Sequence, residues 1–191
     1  VAGFIGSNLA KYLLKEGYKK IIGIDNLSYG LKSQIPPHID FFEYDIRSSD
    51  IINLFEEDDI VFHLAAKNCI ADCQADPLET ADINISGTLN VFNAAVKKKV
   101  KKVIYAESSA VYEGVNVFPT SEEQVKPESF YAVSKMAGKL FADAYIRFSE
   151  LNLIALRYFN VYGPRQDYKR SIPPLMCALI MQLLKGEQPV I

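Results

Sequence analysis

Short apolar runs alternate along this sequence with longer segments of helical periodicity, and this alternation constrains the fold more than any other feature. Helical patterns occupy about 4–16, 80–98 and 130–150. The apolar runs predict strands at 19–25, 39–45, 59–65, 101–108 and 153–159. These runs are almost continuously apolar, as strands are when both faces of their sheet are covered. The sequence therefore predicts an α/β fold, a doubly wound parallel sheet with helices on both faces.

Both ends of the sequence resemble the interior of a fold. The opening segment, VAGFIGSNLAKYLLKEGY, is typical of a glycine-rich turn that enters a helix, and the strand expected before such a turn is absent. The closing segment, IPPLMCALIMQLLKGEQPVI, predicts a helix and then a strand that stops at Ile191. We therefore expect the sequence to be a fragment of a longer protein.

Composition excludes several classes of protein. A formal net charge of -2 over 191 residues gives no overall field that would recruit nucleic acid or a membrane surface. No apolar run reaches the length of a membrane span. Three cysteines and two histidines provide neither a disulfide framework nor a structural metal site. The sequence predicts a protein of the reducing cytoplasm that binds no metal, nucleic acid or membrane.

A glycine-rich turn at the start of the first helix predicts a nucleotide site. The backbone of Gly3, Phe4, Ile5 and Gly6 could approach a pyrophosphate placed at the helix N-terminus, although an ordinary tight turn is the alternative. About 20 residues further on, Asp25 ends the next predicted strand, where a carboxylate accepts hydrogen bonds from a ribose diol. Such a carboxylate repels a 2′-phosphate, so the pattern favours NAD over NADP.

Other strand ends supply further candidates for this site. Asn26 follows Asp25 directly, and we count it among the cofactor contacts. Asp45, followed by Ile46, ends the next predicted strand and could contact the adenine amino group. A helix N-cap is the alternative role for Asp45.

The segment SFYAVSKMAG, residues 129–138, places Tyr131 and Lys135 four positions apart. Residues at this spacing share one face of a helix, so the pair alone is weak support for chemistry. The remaining motifs strengthen it. In order along the chain they read GFIGSNLAKYLL, GIDNLSYG, YDIR, VFHLAA, NISGTLNVFNAA, SSAVYEG, SFYAVSK and LRYFNVYGPRQ.

Together these motifs resemble the extended short-chain dehydrogenase/reductase family, the NAD-dependent nucleotide-sugar epimerases and dehydratases, over essentially the whole chain. The resemblance implies a Rossmann-type NAD-binding domain at 1–164 and the beginning of a substrate-binding region at 165–191. It also implies that Tyr131 is the catalytic acid/base and that Lys135 lowers its pKa and binds the nicotinamide ribose. Ser108 would hydrogen-bond the reacting oxygen, with Ser109 as an alternative partner.

Further roles follow from the same resemblance. The additional cofactor contacts are Leu64, Ala65, Ala66, Asn84 and Tyr158. Asn84 would brace the strand ends, and a helix-start cap is its alternative role. Asn160 would bind the substrate diphosphate. Arg157 is predicted to form a structural ion pair, Lys67 or Asn68 could reach the pyrophosphate, and Arg165 is preferred over Lys169 or Arg170 for an anionic substrate.

The positions after Ser108 distinguish the reactions of this family. Sugar 4,6-dehydratases carry an Asp–Glu pair where this chain has Ser109 and Ala110. Since neither side chain is a carboxylic acid, elimination of water lacks its acid and base. The sequence predicts a 4-epimerase that inverts C4 of a UDP-sugar through a transient 4-keto sugar. Another dehydratase, reductase or NADH-releasing dehydrogenase of the family, or a non-catalytic dinucleotide-binding protein, is the alternative.

The resemblance also implies a homodimer through helices near 87–98 and 131–149. The second helix carries apolar side chains on more than one face, more than packing on a sheet requires: Met136, Leu140, Phe141, Ala144, Tyr145 and Phe148. Contact of this extra face with the remainder of the protein is the alternative.

Overall fold

The computed structural model describes residues 1–168 and 172–189. The chain forms two compact units, one from Val1–Glu43 with Asn160–Ile191 and the other from Tyr44–Phe159.

The first unit combines two helices with a two-stranded parallel sheet. Helix α1 (Phe4–Lys15) is followed by strand β1 (Ile22–Asp25), which pairs in parallel with β2 (Asp40–Glu43). The last helix of the chain, which we number α6, spans Leu175–Leu184. Helix α1 ends before Gly17, whose φ of 91° is readily adopted by glycine and stops the helix.

The second unit contains a three-stranded parallel sheet in the order β3–β4–β5, formed by Ile60–His63, Lys102–Ser108 and Leu153–Tyr158. Its helices are α2 (Ile70–Ala75), α3 (Pro77–Ala81), α4 (Thr88–Lys97) and α5 (Phe130–Ser149). A π-helical turn, Asp82–Gly87, joins α3 to α4. In the sheet His63 lies opposite Tyr105, and Ser108 lies opposite Tyr158. The carboxyl ends of β4 and β5 therefore meet at one edge.

Aromatic packing attaches helix α4 to this sheet, and a close contact at a glycine attaches helix α5. Phe92 and Tyr105 are fully buried, and their rings meet edge to face with centroids 5.6 Å apart. His63 stacks on the other side of Tyr105 at 5.6 Å. Gly138 allows α5 to approach, because a Cβ at that position would overlap the Tyr105 hydroxyl. The glycine thus sets the distance between the helix and β4.

The predicted elements are confirmed, with differences at their ends. All five predicted strands are present and shorter than the apolar runs. The predicted helix 80–98 is three consecutive segments, and α2 was not predicted. The expected final strand reaches Val190 and Ile191, which lie outside the described residues. Among the residues that the structure describes, no helix is long and apolar enough to cross a membrane.

Candidate active site

Tyr131 and Lys135 lie in the first two turns of α5. The helix begins at the N-cap Ser129, whose side chain accepts a hydrogen bond from Ala132 N at 3.1 Å. Tyr131 is half-buried, whereas only 4% of Lys135 is exposed. The Lys135 Nζ donates to the Ala106 carbonyl at 2.8 Å and lies 5.2 Å from the centre of the Tyr105 ring. The expected pair is therefore present, with its cation buried against β4.

Burial dominates the titration of Lys135. Loss of solvent lowers the pKa of its ammonium to about 8, while Glu107 and Cys73 oppose this effect. The group remains mostly charged at neutral pH. Because Lys135 is buried, bulk salt screens its positive charge only weakly.

Burial raises the pKa of the Tyr131 phenol, and its interaction with Ser108 acts to lower it. The expected effect of Lys135 on this pKa, with the cofactor bound, stays a prediction. Ser108 Oγ accepts a hydrogen bond from Ala110 N at 3.2 Å, which leaves its own proton available for the Tyr131 oxygen.

Asn84 connects three segments around the phenol. Its Oδ1 accepts from Lys67 N at 2.8 Å, and its Nδ2 donates to Lys67 O and to Ser134 Oγ, both at 2.9 Å. Ser134 Oγ in turn donates to the Tyr131 carbonyl at 2.7 Å. Asn84 lies inside the π-helical turn, so the alternative of a helix-start cap is wrong. Its contacts support a bracing role.

The loop after β3 presents small side chains and hides its lysine. Ala65 is exposed, and Leu64 and Ala66 are half-buried. Lys67 is only 4% exposed, and its ammonium pairs with the Glu79 carboxylate. That arrangement does not support the suggested contact between Lys67 and a pyrophosphate.

A buried ion pair supports the carboxyl ends of β4 and β5. Arg157 Nε donates to Glu107 Oε2 at 2.8 Å, which confirms the predicted structural role of Arg157. A second guanidinium nitrogen donates to the Tyr112 hydroxyl at 2.5 Å and to the Glu122 carbonyl at 2.6 Å. Burial raises the pKa of Tyr158, the residue opposite Ser108. Sequence reasoning identified the arginine but not its partners.

The segment between β4 and α5 contains a loop whose two ends are hydrogen-bonded to each other, which we call the closed loop. Ser108 caps a short 3₁₀ turn, Ser109–Tyr112, so Ser109 lies within that turn. Lys126 N donates to Val111 O at 2.8 Å, and Gly114 N donates to Lys126 O at 3.0 Å. These bonds join the two ends of the loop 115–125 before the chain enters α5.

In the first unit, the start of α1 fits an anionic cofactor group. Gly3 is the N-cap, with φ -81° and ψ 177°, and no side chain accepts hydrogen bonds from the first turn. No acidic residue lies in that turn. A Cβ at Gly3 would meet nothing within 4 Å, whereas one at Gly6 would lie 3.0 Å from the Val1 backbone. The backbone N–H groups of Phe4, Ile5 and Gly6 can therefore donate hydrogen bonds to a pyrophosphate at close range.

Backbone donors surround the Asp25 carboxylate at the end of β1. Oδ2 lies 3.0 Å from Val1 N and accepts from Ala2 N at 2.9 Å, and Oδ1 accepts from Leu27 N at 2.9 Å. The neighbouring Asn26 is exposed. An ionised carboxylate fits the expected contact with a ribose diol.

Asp45 is engaged by an arginine in the second unit. Its carboxylate accepts from Arg47 N at 2.8 Å and from the guanidinium at 2.9 and 2.8 Å. Arg47 also pairs with Asp82 at 2.6 Å. The adjacent Ile46 packs where a Cβ on Gly87 would lie. The following 3₁₀ helix is capped by Ser48, so the alternative of an N-cap at Asp45 is wrong.

Candidate substrate contacts in the first unit differ in their surroundings. Asn160 is exposed. One guanidinium nitrogen of Arg165 donates to the carbonyls of Ser7 at 3.2 Å and Gln34 at 3.4 Å, which indicates a structural role. Lys169 and Arg170 lie outside the described residues. Within residues 1–168 and 172–189, no three side chains form a metal-binding group.

Comparison with known proteins identifies the family. The model of the NAD dependent epimerase/dehydratase family matches residues 1–191. The chain belongs to this family. Members depend on NAD, and the open start of α1 and the position of the Asp25 carboxylate at the end of β1 fit that cofactor. The parallel strands and intervening helices are accordingly those of a Rossmann-type fold.

Relatives of this epimerase/dehydratase-family chain act on nucleotide sugars. The UDP-glucose 4-epimerase of Mycolicibacterium smegmatis is 37% identical over 87% of this chain and 56% of its own length. A UDP-N-acetylglucosamine 4-epimerase from Methanobrevibacter ruminantium, solved with UDP-N-acetylmuramic acid, has a TM-score of 0.93, 36% identity and coverage of 100% and 62%. The Thermotoga maritima UDP-glucose 4-epimerase, solved with UDP-glucose, has a TM-score of 0.92, 34% identity and coverage of 100% and 63%. The chain thus spans roughly 60% of their length.

Proposed function

We propose that the complete protein is a 4-epimerase of UDP-sugars and that Tyr131 is its acid/base. The observation that carries the proposal is the arrangement of Tyr131 with Ser108 and the buried Lys135. A protein that only bound a dinucleotide would need the glycine-rich turn but not these three side chains together. The 4-epimerases among its relatives support the choice of reaction and of UDP-sugars.

The mechanism requires one group that removes and later returns a proton. NAD, when bound, supplies the reversible oxidation at C4 of the sugar. Tyr131 takes the proton from the C4 hydroxyl, holds it while the sugar is a 4-keto intermediate, and returns it after the sugar has turned. Ser108 donates a hydrogen bond to the reacting oxygen. Lys135 provides a fixed positive charge that favours the phenolate at the moment of transfer.

The segment after Ser108 favours epimerisation over dehydration. Ser109 and Ala110 begin the 3₁₀ turn and carry no carboxyl group. Glu113 ends that turn, but its carboxylate is hydrogen-bonded to residues at the start of α5. Elimination of water requires an acid and a base at the sugar, and these positions provide neither.

Replacement of Tyr131 by Phe tests the acid/base role. In the complete protein, Tyr131→Phe should reduce the interconversion of UDP-glucose and UDP-galactose by about 10² or more, the scale of general acid–base catalysis. The substitution keeps the ring, so NAD binding should persist. Tyr18→Phe, at an exposed position, is the matched control. Near-normal turnover in Tyr131→Phe would remove Tyr131 from the mechanism. A need for added NAD would favour an NADH-releasing dehydrogenase instead.

We also propose that the complete protein is a homodimer through the outer face of α5. Large apolar side chains are exposed there: Val133, Leu140, Phe141 and Phe148. Tyr145, in contrast, packs edge-on against Phe92 in the interior. Light scattering should show a dimer that Phe141→Glu or Phe148→Glu dissociates, whereas Glu150→Gln, at an exposed site, should not. A monomeric wild-type protein at micromolar concentration would contradict the proposal.

A further inference from the structure

We propose that Glu113 is a positioning residue, whose carboxylate fixes the first turn of α5 and thereby places the Tyr131 phenol relative to Ser108. For its kinetic consequences this inference rests on the proposed epimerase function. Glu113 belongs neither to the predicted cofactor contacts nor to the predicted catalytic residues.

Three hydrogen bonds connect Glu113 to the start of α5. Oε2 accepts from Ser129 N at 2.8 Å and from Glu128 N at 3.3 Å. Oε1 accepts from the Ser129 hydroxyl at 2.9 Å. Both carboxylate oxygens are therefore engaged with the two residues that precede the helix. Tyr131 follows only two residues after Ser129, so its backbone position depends on these contacts.

The Ser129 hydroxyl extends this contact into the helix itself. It donates its single proton to Glu113 and accepts from Ala132 N at 3.1 Å. Helix α5 has no acidic residue in its own first turn. Glu113 thus supplies from another segment the negative charge that a helix N-terminus favours.

The other side of Glu113 is attached to the segment that carries Ser108. Glu113 N donates to Ala110 O at 3.0 Å, and Ala110 N donates to Ser108 Oγ at 3.2 Å. The contacts therefore run from Ser108 through the 3₁₀ turn to Glu113 and on to Ser129. One carboxylate connects the two segments whose side chains must meet at the reacting oxygen.

Glu113 also acts on the phenol through its charge. Burial is the largest cause of the raised pKa of Tyr131, and Cys73 of α2 and Glu113 raise it further, while Ser108 of β4 lowers it. Loss of the Glu113 charge should lower the Tyr131 pKa. Loss of the Glu113 hydrogen bonds should reduce the maximal rate. A role confined to folding would leave kcat unchanged in a folded variant.

Glu113→Gln in the complete protein separates these effects, with Glu128→Gln as its matched control. Glu128 is an exposed carboxylate in the same segment, but it pairs with Lys126 at 3.2 Å and accepts nothing from α5. We expect Glu113→Gln to reduce kcat about tenfold, less than the roughly hundredfold loss that a displacement of about 1 Å can cause. KM should stay within about twofold, because no substrate contact is removed. Glu128→Gln should resemble the wild type.

Titration of the phenol gives a readout that needs no turnover. Tyrosine labelled with ¹³C at Cζ reports each phenol by NMR, and Tyr131→Phe assigns the resonance. The Tyr131 pKa should fall in Glu113→Gln and stay unchanged in Glu128→Gln. Ser129→Ala should lower kcat similarly, and the double variant should lose less than the sum of the two effects, since both remove one connection.

The outcomes distinguish the inference from the proposed function. A wild-type kcat in Glu113→Gln would overturn the positioning role, because loss of a nearby charge alone lowers the Tyr131 pKa. An equal loss of kcat in Glu128→Gln would overturn it as well, since general surface charge would then explain the effect. If the wild-type protein interconverts no UDP-sugars, the proposed reaction fails. Hydrogen exchange of the Ala132 amide, which should become faster in Glu113→Gln and not in Glu128→Gln, then decides the inference about Glu113.

Discussion

Two helices of this molecule begin in opposite ways. Helix α1 starts at Gly3 with no side-chain acceptor and no acidic residue in its first turn. Helix α5 starts at Ser129 with a side-chain cap and receives the Glu113 carboxylate from another segment. In both helices the amides of the first turn have no partner within the helix itself. The difference teaches that an open start suits a helix that binds an anion, whereas a satisfied start suits a helix that positions a side chain.

The largest expected effect comes from giving α1 its own acceptor. Gly3→Asp fits the backbone, because φ is -81° and a Cβ would meet nothing within 4 Å. An N-cap aspartate in place of glycine should stabilise the helix slightly, by roughly a few tenths of a kcal/mol. The same carboxylate should weaken NAD binding about a hundredfold through repulsion of the pyrophosphate. Thermal unfolding and NAD titration should therefore change in opposite senses.

Neutral replacements at Gly3 separate charge from size. Gly3→Ser supplies a cap without charge and should weaken NAD binding less than Gly3→Asp. Gly3→Ala supplies neither a cap nor a charge. Equal affinities for NAD in the aspartate and serine variants would show that the start of α1 does not face the pyrophosphate.

The second prediction concerns the body of α5 rather than its start. Gly138→Ala should destabilise the protein by about 2 kcal/mol, since the new methyl group overlaps the Tyr105 hydroxyl and forces the helix outward. Gly3→Ala should change stability by much less, because its Cβ would meet nothing. Urea unfolding of both variants provides the measurement. A Gly138→Ala protein as stable as the wild type would mean that α5 is held by its first turn alone.

The third and smallest prediction is a loss of stability at low pH that affects the second unit more than helix α1. His63 packs against Phe92 of α4 and stacks on Tyr105 of β4, and burial, followed by the charge of Lys135, lowers its pKa to about 3. The unfolded chain therefore binds the proton between about pH 6.5 and 3, so stability falls as the pH drops through this window. At pH 5.5 the loss from His63 should be about 1 kcal/mol.

Hydrogen exchange can locate this loss of stability. After correction for the intrinsic rate, amides of α4, which contacts His63 through Thr88 and Phe92, should exchange faster at pH 5.5 than at pH 7. Those of α1 should change less. His63→Gln keeps a possible partner for Thr88, whose hydroxyl lies 2.9 Å from the His63 ring nitrogen. The variant should show a weaker pH dependence of stability. Equal acid sensitivity in the variant and the wild type would exclude His63 as the cause.

The sequence predicted local elements well because their signals are local. The apolar runs located all five strands, and the spacing of Tyr131 and Lys135 located the reactive face of α5. Gly3 and Asp25 were placed at a helix start and a strand end by their neighbours in sequence. The short helix α2 was missed because its six residues carry too little periodicity to be recognised.

Partners distant in sequence could not be predicted. Glu107 meets Arg157 across fifty positions, and Asn84 meets Ser134 at the same separation. The Lys135 ammonium donates to a backbone carbonyl. Because every residue has such an acceptor, no residue pattern predicts this hydrogen bond. The effect expected of Lys135 on the Tyr131 pKa stays a prediction.

The closed loop 115–125 affects how the sequence of such a protein can evolve. Its two ends are joined by the bonds between Val111, Gly114 and Lys126, so the separation of Ser108 from Tyr131 does not depend on the loop's length. Insertions there cost little in closure entropy, since that cost grows slowly with length. Val117 and Phe118 in the first half of the loop are exposed, whereas the carbonyl of Glu122 in the second half accepts from Arg157 of β5. New surface contacts could therefore evolve in this loop while the chemistry beside it stays intact.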